Sequence, residues 1–87
     1  MGLHYRVETQ FETEEQAYQS ACERYECYKV LKDKLHEFSG LSDETRITIT
    51  ANGQYAYGED VFEAHDRFKE KYPGVMSRHY FRLGGVR

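Results

Sequence analysis

Four histidines, two cysteines and an unusual number of tyrosines are the residues here whose types could do chemistry. The histidines are His4, His36, His65 and His79. None stands at metal-ligand spacing with Cys22 or Cys27, and no CxxC or HxxxH pattern occurs. His65 is followed by Asp66, but neighbouring residues of a helix point about 100° apart, so the two form no acid–base dyad. Glycine-rich phosphate loops, a nucleophile elbow and a carboxylate pair at catalytic spacing are absent from the sequence. This pattern predicts a protein that is not an enzyme and takes no metal or cofactor. The two cysteines are five residues apart on one expected helix, about 140° apart around its axis, so they do not pair with each other.

The tyrosines and arginines form the more informative set. They gain meaning only once the elements that carry them are placed. Leu3 to Phe11 alternates, with Leu3, Tyr5 and Val7 opposite His4, Arg6 and Glu8, as in a half-buried strand. Thr13 to Gln16 reads as a capping box that opens a helix. Ala17, Ala21, Tyr28, Leu31, Leu35 and Phe38 then recur at three- and four-residue steps, widened by Tyr18, Cys22 and Tyr25. The expected helix runs from 14 to 38, about 37 Å at 1.5 Å per residue, and Ser39-Gly40 stops it. Residues 45–58 read as a hairpin about Asn52-Gly53, a dipeptide favoured in type I′ turns. Closing the hairpin there sets Ile49 opposite Ala56 and Thr48 opposite Tyr57. A second helix over 59–72 carries Val61, Ala64, His65, Phe68 and Tyr72 inward, and Pro73-Gly74 ends it. A last strand over 75–83 alternates Val75, Ser77, His79, Phe81 and Leu83 with Met76, Arg78, Tyr80 and Arg82.

The order is β-α-β-β-α-β. It predicts a single α+β domain over 1–87, a ferredoxin-like sandwich whose four-stranded antiparallel sheet carries both helices on one face. Residues 83–87 read as a flexible tail. The first helix is unusually long beside strands of about 17–24 Å, so it should overhang the sheet. Its tyrosines Tyr18, Tyr25 and Tyr28 would then need burial against a partner or a second copy.

With the apolar alternates under the helices, the open sheet face would carry Arg6, Tyr55, Tyr57, Arg78, Tyr80 and Arg82. Three tyrosines and three arginines on one face resemble the stacking platform of RNA-recognition domains, where aromatics stack bases and arginines meet phosphates. The stretch Gly53-Gln54-Tyr55-Ala56-Tyr57-Gly58 resembles that family's aromatic motif over six residues. It departs from it in Gln54, in the lack of a leading basic residue and in having no apolar residue after Tyr57. The end, Arg82-Leu83-Gly84-Gly85-Val86-Arg87, resembles a ubiquitin-type precursor tail, but the element order is not the ββαβ order of that fold.

Charge sharpens the choice of partner. The 87-residue chain holds 12 basic and 15 acidic residues, a net charge of −3. Residues 12–40 hold seven acids against four bases, and residues 59–73 five against three; 74–87 hold three arginines and no acid. Acidic helices beside a basic last strand would repel a wrapping polyanion but not a short strand on the sheet. No run approaches 18 apolar residues, and the first residues lack a signal-peptide pattern. The expectation is a cytoplasmic module that binds and does no chemistry. Its partner would be another protein or itself as a homodimer, as for inhibitors or accessory proteins of phage or bacterial type. The alternative is single-stranded RNA or DNA on the open sheet face. The sequence implies no membrane partner.

Overall fold

Thr13 turns the chain into its first helix: its hydroxyl accepts the Gln16 N–H at 3.1 Å, as the capping pattern predicts. In the computed structural model, which describes residues 13–87, the elements run α-β-β-α-β. They are α1 (Glu14–Asp33), β1 (Arg46–Ile49), β2 (Tyr55–Gly58), α2 (Val61–Lys71) and β3 (His79–Arg82). Short 3₁₀ turns follow α1 at Leu35–Phe38 and β3 at Leu83–Gly85. The strand expected over Leu3 to Phe11 lies outside the described residues.

The first helix is shorter than its periodicity suggests. Lys34 leaves helical geometry, and its N–H bonds back to Leu31 O at 2.9 Å, so the final turn tightens to 3₁₀ and carries Phe38 into the core. The second helix begins on Asp60, whose carboxylate accepts the Glu63 N–H at 2.8 Å, while Glu63 reaches back to the Glu59 N–H at 2.6 Å.

The hairpin forms where expected but closes one residue away. Ile49 faces Tyr55, Thr48 faces Ala56 and Ile47 faces Tyr57. A type I′ turn needs positive φ at both central residues, yet no non-glycine residue described has one; Gly53 alone in this loop does, at 91°. Ala51, Asn52 and Gly53 therefore make a three-residue loop, closed by Thr50 N–H to Gln54 O at 2.9 Å. The Thr50 hydroxyl accepts the N–H groups of both Asn52 and Gln54 at 3.2 Å and holds the loop.

One residue of register moves every side chain of β2 to the other face relative to β1. The sheet is three-stranded and antiparallel in the order β2-β1-β3, with Ile49 opposite His79 and Thr48 opposite Tyr80. One face then carries Ile47, Ile49, Tyr55, Tyr57, His79 and Phe81. The other carries Thr48, Ala56, Gly58 and Tyr80. Both faces are covered. Against the first lie α1 and its 3₁₀ turn, in a core of Cys27, Leu31, Phe38, Ile47, Ile49, Phe81, Leu83 and Val86. Against the second lies α2, with Ala64 and Phe68 fully buried. Small residues let α2 come close: a Cβ at Gly58 would lie 2.8 Å from the Ala64 backbone nitrogen.

Two expectations are thereby corrected, while the fourth strand expected lies outside the described residues. The sheet has three strands among those residues. Its last strand pairs with β1, whereas a ferredoxin-like sheet would leave that strand at an edge. The helices lie on opposite faces and not together on one. The β2-α2-β3 unit is still a split β-α-β, with β1 between its parallel strands. The hairpin fixes β2 on one side of β1, and β3 takes the edge left free.

The tail is also placed differently. Leu83 and Val86 are buried, and the Lys32 ammonium donates to Val86 O at 3.2 Å. Arg87 ties to the Asp43 carboxylate at 2.6 Å and to the carbonyls of Phe38 and Leu41. The apolar side chains on either side of the two glycines, Leu83 and Val86, dock this segment, so it is not the flexible terminus expected.

Candidate functional site

The six residues expected to share an open face do not form one platform. Arg6 lies outside the described residues. Tyr55 and Tyr57 stand on the α1 face, each meeting the Phe38 ring edge-on, with centroids 5.4 and 5.7 Å apart. Tyr80 stands on the opposite face against α2, and the one-residue register shift is the reason.

Tyr55 is held tightly. Its hydroxyl donates to the Glu37 carboxylate, and that bond, with burial adding to it, pushes the phenol up to about 12. The same bond holds the Glu37 carboxyl below the usual carboxylate range. The ammonium groups of Lys34 and Lys71 each lie 5.5 Å from the Tyr55 ring centre.

Tyr80 and Arg78 are brought together, but they face inward. His65 Nδ1 lies 2.8 Å from the Tyr80 hydroxyl and 3.3 Å from Arg78 Nη2. A guanidinium only donates, so Nδ1 is the acceptor of the Arg78 bond. Arg78 also donates to Val75 O at 2.7 Å and lies 5.6 Å over the Phe68 ring. Its charge serves the junction of α2 with β3. Arg82 is exposed, 3.3 Å from Asp43 O and 3.5 Å from the Glu44 carboxylate.

A serine, a carboxylate and a histidine meet where α1 crosses β3. The Ser77 hydroxyl donates to Glu23 Oε2 at 2.6 Å, and His79 Nε2 lies 3.0 Å from Glu23 Oε1. These bonds, Ser77 first and then His79, hold the Glu23 carboxyl below its ordinary value. The order is wrong for nucleophile activation, because the carboxylate sits between hydroxyl and imidazole and is a weakened base. The cluster works as a clasp between α1 and β3. Among the described residues no group of three His, Cys, Asp or Glu could hold a metal ion.

Of the three α1 tyrosines, Tyr18 and Tyr25 are exposed and Tyr28 packs half-buried against the core. From Glu14 to Glu26 no residue of the helix is buried; Cys27 is the first. Tyr18 is 70% exposed and Tyr25 60%, with exposed Cys22 between them at steps of four and three. A hydrogen bond with Cys22 raises the Tyr18 phenol above its ordinary value. Lys29 lies 4.9 Å over the Tyr25 ring and pairs with Glu26 at 3.2 Å. Beside this stripe a groove of about 400 Å³ is lined by Ala21, Arg24, Tyr25, Tyr28, Phe81 and Gly85. Its floor is the half-buried Tyr28 ring, 6.4 Å from that of Phe81, and its wall is Arg24. The Arg24 guanidinium sits 4.2 Å over Phe81 and donates to Tyr80 O at 3.0 Å.

Sequence reasoning missed Glu23, Arg24 and Arg87. Each acts across more than 40 residues of chain, on a partner chosen by strand order and not by local spacing.

Comparison with known proteins adds one partial likeness. No family model matches the chain, and no solved structure matches it. Over 41 residues, 47% of the chain, it is 49% identical to human tetratricopeptide repeat protein 21B. The matched stretch is 3% of that protein's length. The α-β-β-α-β order of this chain is not the paired-helix order of a tetratricopeptide repeat.

Proposed function

We propose that this chain is a binding module that does no chemistry of its own and acts through protein–protein contact along the outer face of α1. One observation carries the reading: Tyr18, Cys22 and Tyr25 form an exposed stripe on a helix with no fully buried residue before Cys27. Residues at i, i+4 and i+7 are the anchors by which a helix lies in another protein's groove. Tyrosine is also among the residues that dominate binding hot spots.

A second copy is the simplest partner. In a twofold contact the same patch meets itself. Each tyrosine brings roughly 150–250 Å² of burial, so four cover about half of the ~1,600 Å² that a stable interface removes from water. The groove beside Tyr25 extends the patch towards Phe81. An accessory or inhibitory part in a larger assembly, in the cytoplasm, fits such a module. No helix among the described residues is long and apolar enough to cross a membrane.

The covered sheet argues against single-stranded nucleic acid on that surface, since stacking needs bare aromatic faces and both sheet faces carry a helix. The test is the mass in solution by sedimentation equilibrium at micromolar concentration. The expected result is a dimer that Tyr18→Glu with Tyr25→Glu converts to a monomer. A wild-type monomer, or a dimer unmoved by the double substitution, overturns self-association through α1.

A further inference from the structure

We infer that the outer edge of β2 accepts an extended acidic segment of another protein as an added strand. Among the described residues the strand order leaves β2 at an edge. Thr50 and Gln54 are hydrogen-bonded, so along the ladder Thr48–Ala56 and Arg46–Gly58 are the bonded pairs. The N–H and C=O groups of Tyr55 and Tyr57 therefore point away from the sheet.

Their carbonyls are covered and their N–H groups are not. Arg67 Nη1 donates to Tyr57 O at 2.9 Å and Lys71 Nζ to Tyr55 O at 3.4 Å, while neither tyrosine N–H has a partner among the described residues. Beside them lies a cleft of about 290 Å³ lined by Tyr55, Ala56, Tyr57, Arg67, Glu70 and Lys71. Both cations are exposed and sit on a helix surface, so both can swing aside.

The spacing selects the occupant. Arg67 and Lys71 are one helical turn apart, about 6 Å along α2. Alternate residues of an incoming strand are about 6.8 Å apart, so carboxylates at every second position fall opposite the two cations. Drawing the cations off frees both carbonyls for the N–H groups of the incoming strand, while its own carbonyls take the N–H groups of Tyr55 and Tyr57. Local charge agrees. Glu63 is paired with Arg67 at 3.2 Å, and Lys34 and Lys71 each lie 5.5 Å from the Tyr55 ring centre, beside a cleft whose lining includes one acidic residue, Glu70. The other edge is closed differently: Arg24 is stacked on the buried Phe81 while it covers Tyr80 O.

The test uses fluorescent peptides alternating glutamate with valine, a matched set with lysine for glutamate, and a single-stranded oligonucleotide. Amide hydrogen exchange is followed by NMR. The expected result is salt-sensitive binding of the acidic peptide, exchange at Tyr55 and Tyr57 slowed about tenfold or more, and binding weakened about tenfold or more by Arg67→Glu with Lys71→Glu. The milder Arg67→Gln with Lys71→Gln should show an intermediate loss at an unchanged melting temperature. Equal binding of the lysine peptide, binding that leaves both amides unprotected, or stronger protection by the oligonucleotide overturns the inference. The stripe on α1 is not involved, so Tyr18→Glu with Tyr25→Glu should leave peptide binding unchanged.

Discussion

Replacing Gly58 by alanine tests the close approach of α2 to the sheet with a single methyl group. The added Cβ would lie 2.7 Å from both Cβ and Cγ of Glu63 and 2.8 Å from the Ala64 backbone nitrogen. Two of those three atoms cannot turn away, because one is backbone and one is fixed to it. Relief requires α2 to lift, which disturbs the capping bonds at Asp60 and Glu63 and the buried Ala64 and Phe68. Overpacking of this kind costs about 1–3 kcal/mol. Against it, alanine narrows the unfolded chain, a gain of roughly 0.4–1 kcal/mol. The loss should win. In thermal melts followed by far-ultraviolet circular dichroism, each lost kcal/mol lowers the midpoint by about 4–8 °C in a domain of this size. Gly85 is the control: it has no neighbour within 4 Å of a Cβ and an ordinary φ, so Gly85→Ala should stay within about 0.5 kcal/mol of wild type. A Gly58→Ala protein as stable as the Gly85→Ala protein would refute the reasoning.

Further outcomes follow from single groups. The Thr48 hydroxyl is buried without a hydrogen-bond partner among the described residues, so Thr48→Val should raise stability by about 1 kcal/mol in urea unfolding; a loss would mean the hydroxyl is satisfied. Burial pushes the Cys27 thiol up to about 11 while Cys22 is exposed, so iodoacetamide should label one thiol in the native protein and two in urea. Tyr55 is an acid whose folded value is raised, so its contribution is complete below the ordinary tyrosine value of 10.0. It is lost as pH rises through about 12. Glu37→Gln should bring that phenol's absorbance titration to lower pH. Glu23 has the opposite sign: its lowered value gives stability above the ordinary carboxylate value of 4.5, lost as pH falls through the folded one. Glu23→Gln should flatten the acid limb of stability against pH.

Local chemistry was legible in the sequence. Thr13 caps the helix it was read to cap, and the strand alternation of residues 79–83 holds, with Phe81 and Leu83 buried. What failed turned on one residue. Asn52-Gly53 serves equally in a two-residue turn and in a three-residue loop with glycine last, and the Thr50 hydroxyl favours the second. Nothing local reveals that choice, yet it decides which face Tyr55 and Tyr57 occupy. Strand order was hidden for a related reason. The edge that β3 takes depends on packing by α1 and α2 together, and alternation reads the same on either edge.

The central position of β1 also sets an order of assembly. The β1–β2 hairpin closes over a three-residue loop, and such hairpins form in about 1–10 μs. β3 must find β1 across 30 residues, from Ile49 to His79, with a helix folded between them. Contacts so distant in the chain form late. Until then the inner edge of β1 is bare, with Ile47 and Ile49 beside it. Arginine and lysine cover carbonyls on the two edges of the finished sheet, but the edge that exists only during folding has no such guard. Conditions that slow the docking of β3 should therefore favour aggregation through that strand, even where the native protein is stable.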